Sequence, residues 1–201
     1  MKSFSSILFL LIFIASGLSS SDTLIHSSMS FDEAVKGTKA PKDLLSAQRL
    51  IDVEYYNFDG RLCKGQLVMH KELVSDVEAV FKIIKDIKYP VHKCVPIVKY
   101  NWDDNASMSD NNTSAFNYRF VAGTNRLSNH AEGRAIDINP FQNPAIYKSG
   151  KISPDGAKYD LKARGTLTPN HQIVLEFKRR GWDWGGEWTS LKDYQHFDKE
   201  K

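Results

Sequence analysis

Ser128-Asn129-His130-Ala131-Glu132-Gly133-Arg134-Ala135-Ile136-Asp137-Ile138-Asn139-Pro140 sets a histidine and an aspartate on either side of a glycine and closes on a proline. Arg134 to Asn139 then alternates as a strand that Pro140 stops, so Asp137 is expected to project from a rigid element. Near the C-terminal end, Trp182-Asp183-Trp184-Gly185-Gly186-Glu187-Trp188 leads to Asp193-Tyr194-Gln195-His196-Phe197, which offers a third ligand, His196. Two imidazoles and one carboxylate are the donor set of an open catalytic zinc site that leaves a position for water. Structural zinc prefers four protein ligands rich in Cys. Taken singly, either histidine reads as a packed or surface group; the joint pattern points to one zinc ion held by His130, Asp137 and His196.

Around this stretch the chain is ordinary in composition. Its 201 residues are 41% hydrophobic and 25% charged, which suits one well-packed globular domain. Met1-Lys2, an apolar run from Ile7 to Ala15 and small residues from Ser16 to Ser21 read as a signal peptide over residues 1–21, and the run is too short for the roughly 20 residues that span a bilayer. A periplasmic or secreted protein is expected, without stable membrane insertion after cleavage. Residues 22–43 are polar and read as a loosely ordered lead-in to a domain spanning 44–201. The net charge of +3 is too small to argue for nucleic acid. Cys63 and Cys94 are the only cysteines, and in an exported chain they form either one disulfide or two buried thiols. Asn105, Asn111 and Asn112 each begin a glycosylation sequon, relevant only in a eukaryotic source.

Hydrophobic periodicity sorts the remainder into elements. Ile51, Val53, Tyr55 and Phe58, then Asp59-Gly60, then Leu62, Leu67 and Val68 predict a hairpin. Leu73, Val74, Val77, Val80, Phe81, Ile84 and Ile87 recur at helical spacing across 71–88, and Tyr89-Pro90 ends that helix. Val95 to Val98 predicts a strand, and Trp102 to Ser114 a polar loop. A last helix is expected to start with Thr168 as cap and Pro169 in its first turn, to continue through Ile173, Val174, Leu175 and Phe177, and to stop at Gly181. Helices mixed with mostly antiparallel strands give an α+β class.

A hydrolytic metal site also needs a group to take and return a proton. Asp193, three residues before His196, is the candidate, because a carboxylate anchored near a ligand can reach the attacking water. Arg119 and Arg126 are the candidate cations for the oxyanion. Trp182, Trp184 and Trp188 suit packing or the lining of a substrate groove. His70, His92 and His171 lie outside the pattern and are read as structural.

These residues carry a resemblance. Tyr118-Arg119, Ser128-x-His130-x-x-Gly133-x-Ala135-x-Asp137 and Asp193-x-x-His196 resemble the signature of the zinc D-Ala-D-Ala metallopeptidases of the VanX and VanY type, over about Val53 to Phe197. The nearest branch is that of the L-alanyl-D-glutamate endopeptidases and D-alanyl-D-alanine carboxypeptidases. The resemblance implies zinc on His130, Asp137 and His196, Asp193 as acid and base, Arg119 as the oxyanion-stabilising arginine, and Ser128 at the substrate; Trp184 and Trp188 are read as substrate residues from their place around Gly185-Gly186 beside the last ligand. It implies a small domain whose central antiparallel sheet carries the zinc site, flanked by helices, as in the Hedgehog signalling domain. The expected partner is a peptidoglycan stem peptide, cut by a monomer. A zinc-containing binding module without turnover is the alternative of another class.

Overall fold

A computed structural model describes residues 23–121 and 123–201. The expected signal peptide lies outside the described residues. Chain order begins with β1 (Leu24–Ile25), paired in parallel with Cys63 and Lys64. Two short helices follow, α1 (Phe31–Ala34) and α2 (Lys42–Ser46). Ser30 caps α1 in a reciprocal box with Glu33. Met29, Phe31, Val35, Leu44 and Leu45 pack with Ala34, Val68 and Phe116 in a small core of their own. The segment expected to be loose is therefore tied down. Its apolar residues are too scattered to show a period in sequence, yet tertiary packing gathers them.

The hairpin forms where the alternation places it, as β2 (Gln48–Tyr56) and β3 (Leu62–His70), in register from Gln48 against His70 to Tyr56 against Leu62. Its turn is closed by Asn57, whose Oδ1 accepts the N–H groups of Asp59 and Arg61, while Gly60 takes the left-handed conformation the turn requires. A 3₁₀ turn at Lys71–Leu73 then leads into α3 (Val74–Asp86), which buries Val77, Val80, Phe81 and Ile84 against the hairpin.

Beyond α3 two expectations fail. The strand expected at Val95 to Val98 is instead β4 (Lys93–Cys94), because Pro96 turns the chain into a 3₁₀ helix at Ile97–Tyr100. The expected loop holds α4 (Asp104–Ser109), capped by Asp103 whose Oδ1 accepts the Ala106 N–H at 3.1 Å, and β5 (Asn112–Thr113), parallel to β4. Only Ser107 of α4 is buried. A helix with no apolar stripe leaves nothing for periodicity to detect.

The second half supplies β6 (Ala135–Asp137), β7 (Ala145–Tyr147), β8 (Ile152–Ser153), α5 (Gln172–Arg179), β9 (Asp183–Trp184), β10 (Leu191–Asp193) and β11 (His196–Asp198). The α5 cap is His171, whose Nδ1 accepts the Ile173 N–H at 3.3 Å; Thr168 and Pro169 form the preceding turn rather than the first turn of the helix. Gly181 follows the helix with φ +80°.

The class is α+β, but the described strands fall into four small sheets, β1-β3-β2, β6-β11-β9, β10-β7-β8 and β4-β5, in place of one central sheet. Most strands are two or three residues long, too short to build a wide sheet. A shared core joins the hairpin, α3, α5 and the β6-β11-β9 sheet, with Phe177 stacked on Phe197 at 4.2 Å.

Cys63 and Cys94 are buried free thiols, not a disulfide. The Cys63 Sγ faces the Arg61 carbonyl at 3.5 Å. Burial pushes both thiols above the usual range, which further lowers the thiolate available to react. A thiol reagent is thus expected to label neither cysteine in the native protein and both in denaturant; a denatured count of zero would show them bonded.

Candidate metal centre

His130 and Asp137 are brought together by the turn the glycine permits. Ser128 starts a 3₁₀ helix over Asn129–Glu132, its Oγ accepting the His130 N–H at 3.3 Å, and Gly133 closes it with φ +67°, its N–H donating to the His130 carbonyl at 3.0 Å. The chain then enters β6, where Asp137 pairs directly with His196 of β11. Strand register thereby sets two candidate ligands side by side, and the 3₁₀ turn swings the third over them. Asp137 Oδ2 lies 3.2 Å from His130 Nε2, Asp137 Oδ1 lies 3.0 Å from His196 Nδ1, and the two nitrogens are 3.2 Å apart. All three residues are buried.

The surrounding hydrogen bonds decide which ring nitrogens face inward. His130 Nδ1–H donates to the Ala115 carbonyl at 2.6 Å, which leaves Nε2 of the neutral ring unprotonated and turned toward Asp137. His196 points Nε2 at Asp198 Oδ2, 3.6 Å away, and Nδ1 inward. Asn129 Nδ2 in turn donates to Asp198. Two nitrogens and one carboxylate so converge, at separations near the roughly 3.3 Å edge of a tetrahedron with bonds of about 2.0–2.1 Å. The donor set fits zinc.

Electrostatics agree with a site built for a cation. Burial alone would raise the Asp137 carboxyl, but its close pairing with the His130 and His196 imidazoles holds it far below the carboxylate range. Burial alone would lower His196, yet the hydrogen bond to Asp137 and the nearby Asp198 carboxylate lift it to about 10. A proton held this firmly must leave when a metal binds.

Asp198 and the Ala115 carbonyl were not singled out from sequence. Asp198 carried a readable signal, since residues two apart on a strand share a face and Asp198 follows His196 by two. Nothing in sequence marks a backbone carbonyl. Because Asp198 orients a ligand imidazole, Asp198→Ala is expected to weaken zinc binding by about 10–100-fold. Competition against a fluorescent chelator measures this, and an unchanged dissociation constant would remove Asp198 from the site.

Asp193 ends β10, opposite Ala145 of β7. A Cβ on Gly185 would come within 2.5 Å of the Asp193 carbonyl oxygen, so this approach requires glycine. The Asp193 Oδ1 is shielded from solvent and has no protein partner. Burial, against the pull of His196, pushes the carboxyl up to about 6. Arg119 pairs with Asp104 of α4 at 3.0 Å and keeps a shielded Nε without a partner. Burial raises the Tyr147 phenol, and the charges of Asp193 and Asp104 add to this against Arg119. Arg126 is exposed in the turn beyond the Phe120–Leu127 bridge.

The tryptophans divide. Trp184 does not line a groove: it is buried, its Nε1–H donates to the Tyr194 carbonyl at 2.9 Å, and its ring packs on Phe197. Trp182 is likewise core, with its N–H on Asp76. Trp188 stays half-exposed with its ring 5.2 Å from that of His196. Ser128 is buried and spends its hydroxyl on the His130 turn. His70 and His171 cap helices, and His92 packs on Phe58.

Fold and site define a small α+β protein with a three-donor metal centre and a shielded carboxylate beside it, the plan of a metal-dependent hydrolase. Residues 122–199, the segment that holds His130, Asp137, Asp193 and His196, match the family model described as D-alanyl-D-alanine carboxypeptidase, a match that supports the likeness to the zinc metallopeptidases of the VanX and VanY type. No solved structure matches the chain.

Proposed function

We propose that this chain is an exported zinc metallopeptidase that hydrolyses an amide bond in peptidoglycan stem peptides, acting as an L-alanyl-D-glutamate endopeptidase. The observation that carries the reading is the convergence of His130, Asp137 and His196, with the buried Asp193 carboxyl close enough to feel all three. His130, Asp137 and His196 would hold a zinc ion, which when bound would polarise the scissile carbonyl and bring the pKa of water to about 7. Asp193 takes the proton of the attacking water and returns it to the leaving amine, a transfer that its shielded Oδ1 and raised pKa support. Arg119 is the cation for the developing oxyanion. Trp188 flanks the opening on the His196 side.

The choice of bond follows the branch that the motifs resemble most. The matched family model favours a second reading, removal of a terminal D-Ala. Purified protein incubated with cell-wall sacculi, with and without chelator, tests the class: metal-dependent release of peptide is expected, and none would overturn it. Mass spectrometry of the digested muropeptides separates the bonds, since loss of one alanine and release of a whole stem differ in mass. A binding module without turnover fits poorly with a shielded carboxylate beside the metal donors and with the retained Arg119.

A further inference from the structure

Buried polar atoms in folded proteins nearly always find a partner, so those that do not are worth locating. Among the described residues, five buried side-chain atoms lack one: Gln48 Oε1, Asn117 Oδ1, Arg119 Nε, Asp193 Oδ1 and Gln195 Oε1. Four of the five fall on two short segments, 117–119 and 193–195, that bracket the metal donors in the fold. Both segments touch α4, the first through Asp104 and the second through Met108, whose sulfur accepts from Gln195 Nε2 at 3.5 Å. Unsatisfied groups concentrated in this way are places that a buried water or a polar ligand completes.

Asn117 is the most telling of them. It is 2% exposed and sits against the His130 turn, its own N–H donating to the His130 carbonyl at 3.0 Å. The direction of its amide is settled by chemistry: Nδ2 donates to Asp104 Oδ1 at 3.2 Å, and the flipped amide would set oxygen against carboxylate oxygen. The remaining Oδ1 is an acceptor and nothing else. Two residues on, Arg119 Nε is an unpartnered donor, and Asp104 holds both side chains. An acceptor and a donor so placed match the N–H and C=O groups that an extended peptide presents.

We infer that Asn117 is a substrate-binding residue whose side-chain oxygen accepts a hydrogen bond from a backbone N–H of the peptide, next to the bond that is cut. This rests on the peptidase reading above. It assigns to Asn117 the recognition of an amide flanking the scissile one, and so a preference for peptides over otherwise identical chains lacking that N–H.

The test pairs Asn117→Ala and Asn117→Leu with a synthetic stem peptide in which each non-scissile amide is replaced in turn by an ester, which removes one N–H. Zinc-loaded wild type is expected to lose about tenfold in kcat/KM on one of the esters. Both variants are expected to lose about tenfold on the all-amide peptide and to gain no further loss on that same ester, with zinc content and melting temperature unchanged. Additive losses, or variants with a lowered melting temperature and unchanged kcat/KM, would mean that Oδ1 serves a buried water and would overturn the inference. Should either variant fail to fold, the ester series on wild type alone decides, and equal rates on every ester reject it. Failure of wild type to cut any stem peptide in the presence of zinc would bring down the peptidase reading itself, a result distinguishable from normal cutting without an ester effect.

Discussion

Asp193→Asn is expected to leave one zinc ion bound and to lower kcat by about 10²–10⁴-fold, the usual contribution of a positioned general acid–base. The asparagine keeps the shape of the side chain beside Gly185, so the metal donors stay where the β6 and β11 register puts them. What it removes is the capacity to carry a proton. The sign of the pH dependence follows from the same group. Asp193 works as a base only when ionised, so kcat/KM in wild type should fall as pH drops through about 6, the value to which burial raises the carboxyl. A cation in the adjoining site pulls the limb to lower pH, never higher. Metal analysis with steady-state kinetics on purified stem peptide reads both effects. A variant within threefold of wild-type kcat, or one retaining the acid limb, would assign the proton transfer elsewhere.

The largest effect on stability is expected at Gly133. A Cβ there would lie 2.0 Å from Gln48 Oε1 and 2.8 Å from the His70 backbone nitrogen. Gln48 has little freedom to withdraw, because it is buried and its Nε2 donates to the Leu44 and Glu132 carbonyls at 3.1 and 3.0 Å. The left-handed φ of +67° adds strain for any L residue with a side chain. Gly133→Ala should cost about 3–5 kcal/mol, and lower the melting temperature by roughly 6–20 °C. Gly60→Ala is the control, since Gly60 shares the conformation at φ +77° but has nothing within 4 Å of the added atom. It should cost about 1–2 kcal/mol from strain alone. Equal losses in the two variants would show that the packing under the His130 turn is looser than described. Zinc affinity should fall with Gly133→Ala as well, because the same turn seats His130.

Much of the site was legible because its chemistry is local. His130, Gly133 and Asp137 occupy one turn and the strand after it, and Asp193 precedes His196 by one short turn, so residue type and spacing carry the roles. The hairpin and α3 were legible for a related reason, since each buries one face and prints its period on the chain. The lead-in and α4 were not. One holds its apolar residues without a period, and the other has no buried stripe at all, so each depends on distant partners. Trp184 shows the same limit: its place beside Gly185 and Gly186 suggested a groove, while its ring is consumed by the core. Asn117 and Asp104 drew no notice, being ordinary polar residues until α4 folds against the site.

Which atoms could hold a metal is a matter of side-chain chemistry, and the residue types of His130, Asp137 and His196 settle it before folding. That those atoms meet is another matter. Asp137 and His196 are 59 residues apart, and only the antiparallel pairing of β6 with β11 puts them 3.0 Å from one another. The ring nitrogens that face inward are chosen by the Ala115 carbonyl and by Asp198. Long-range hydrogen bonding does this because a neutral histidine has two ring nitrogens, either of which can carry the single N–H, and only its surroundings break the tie.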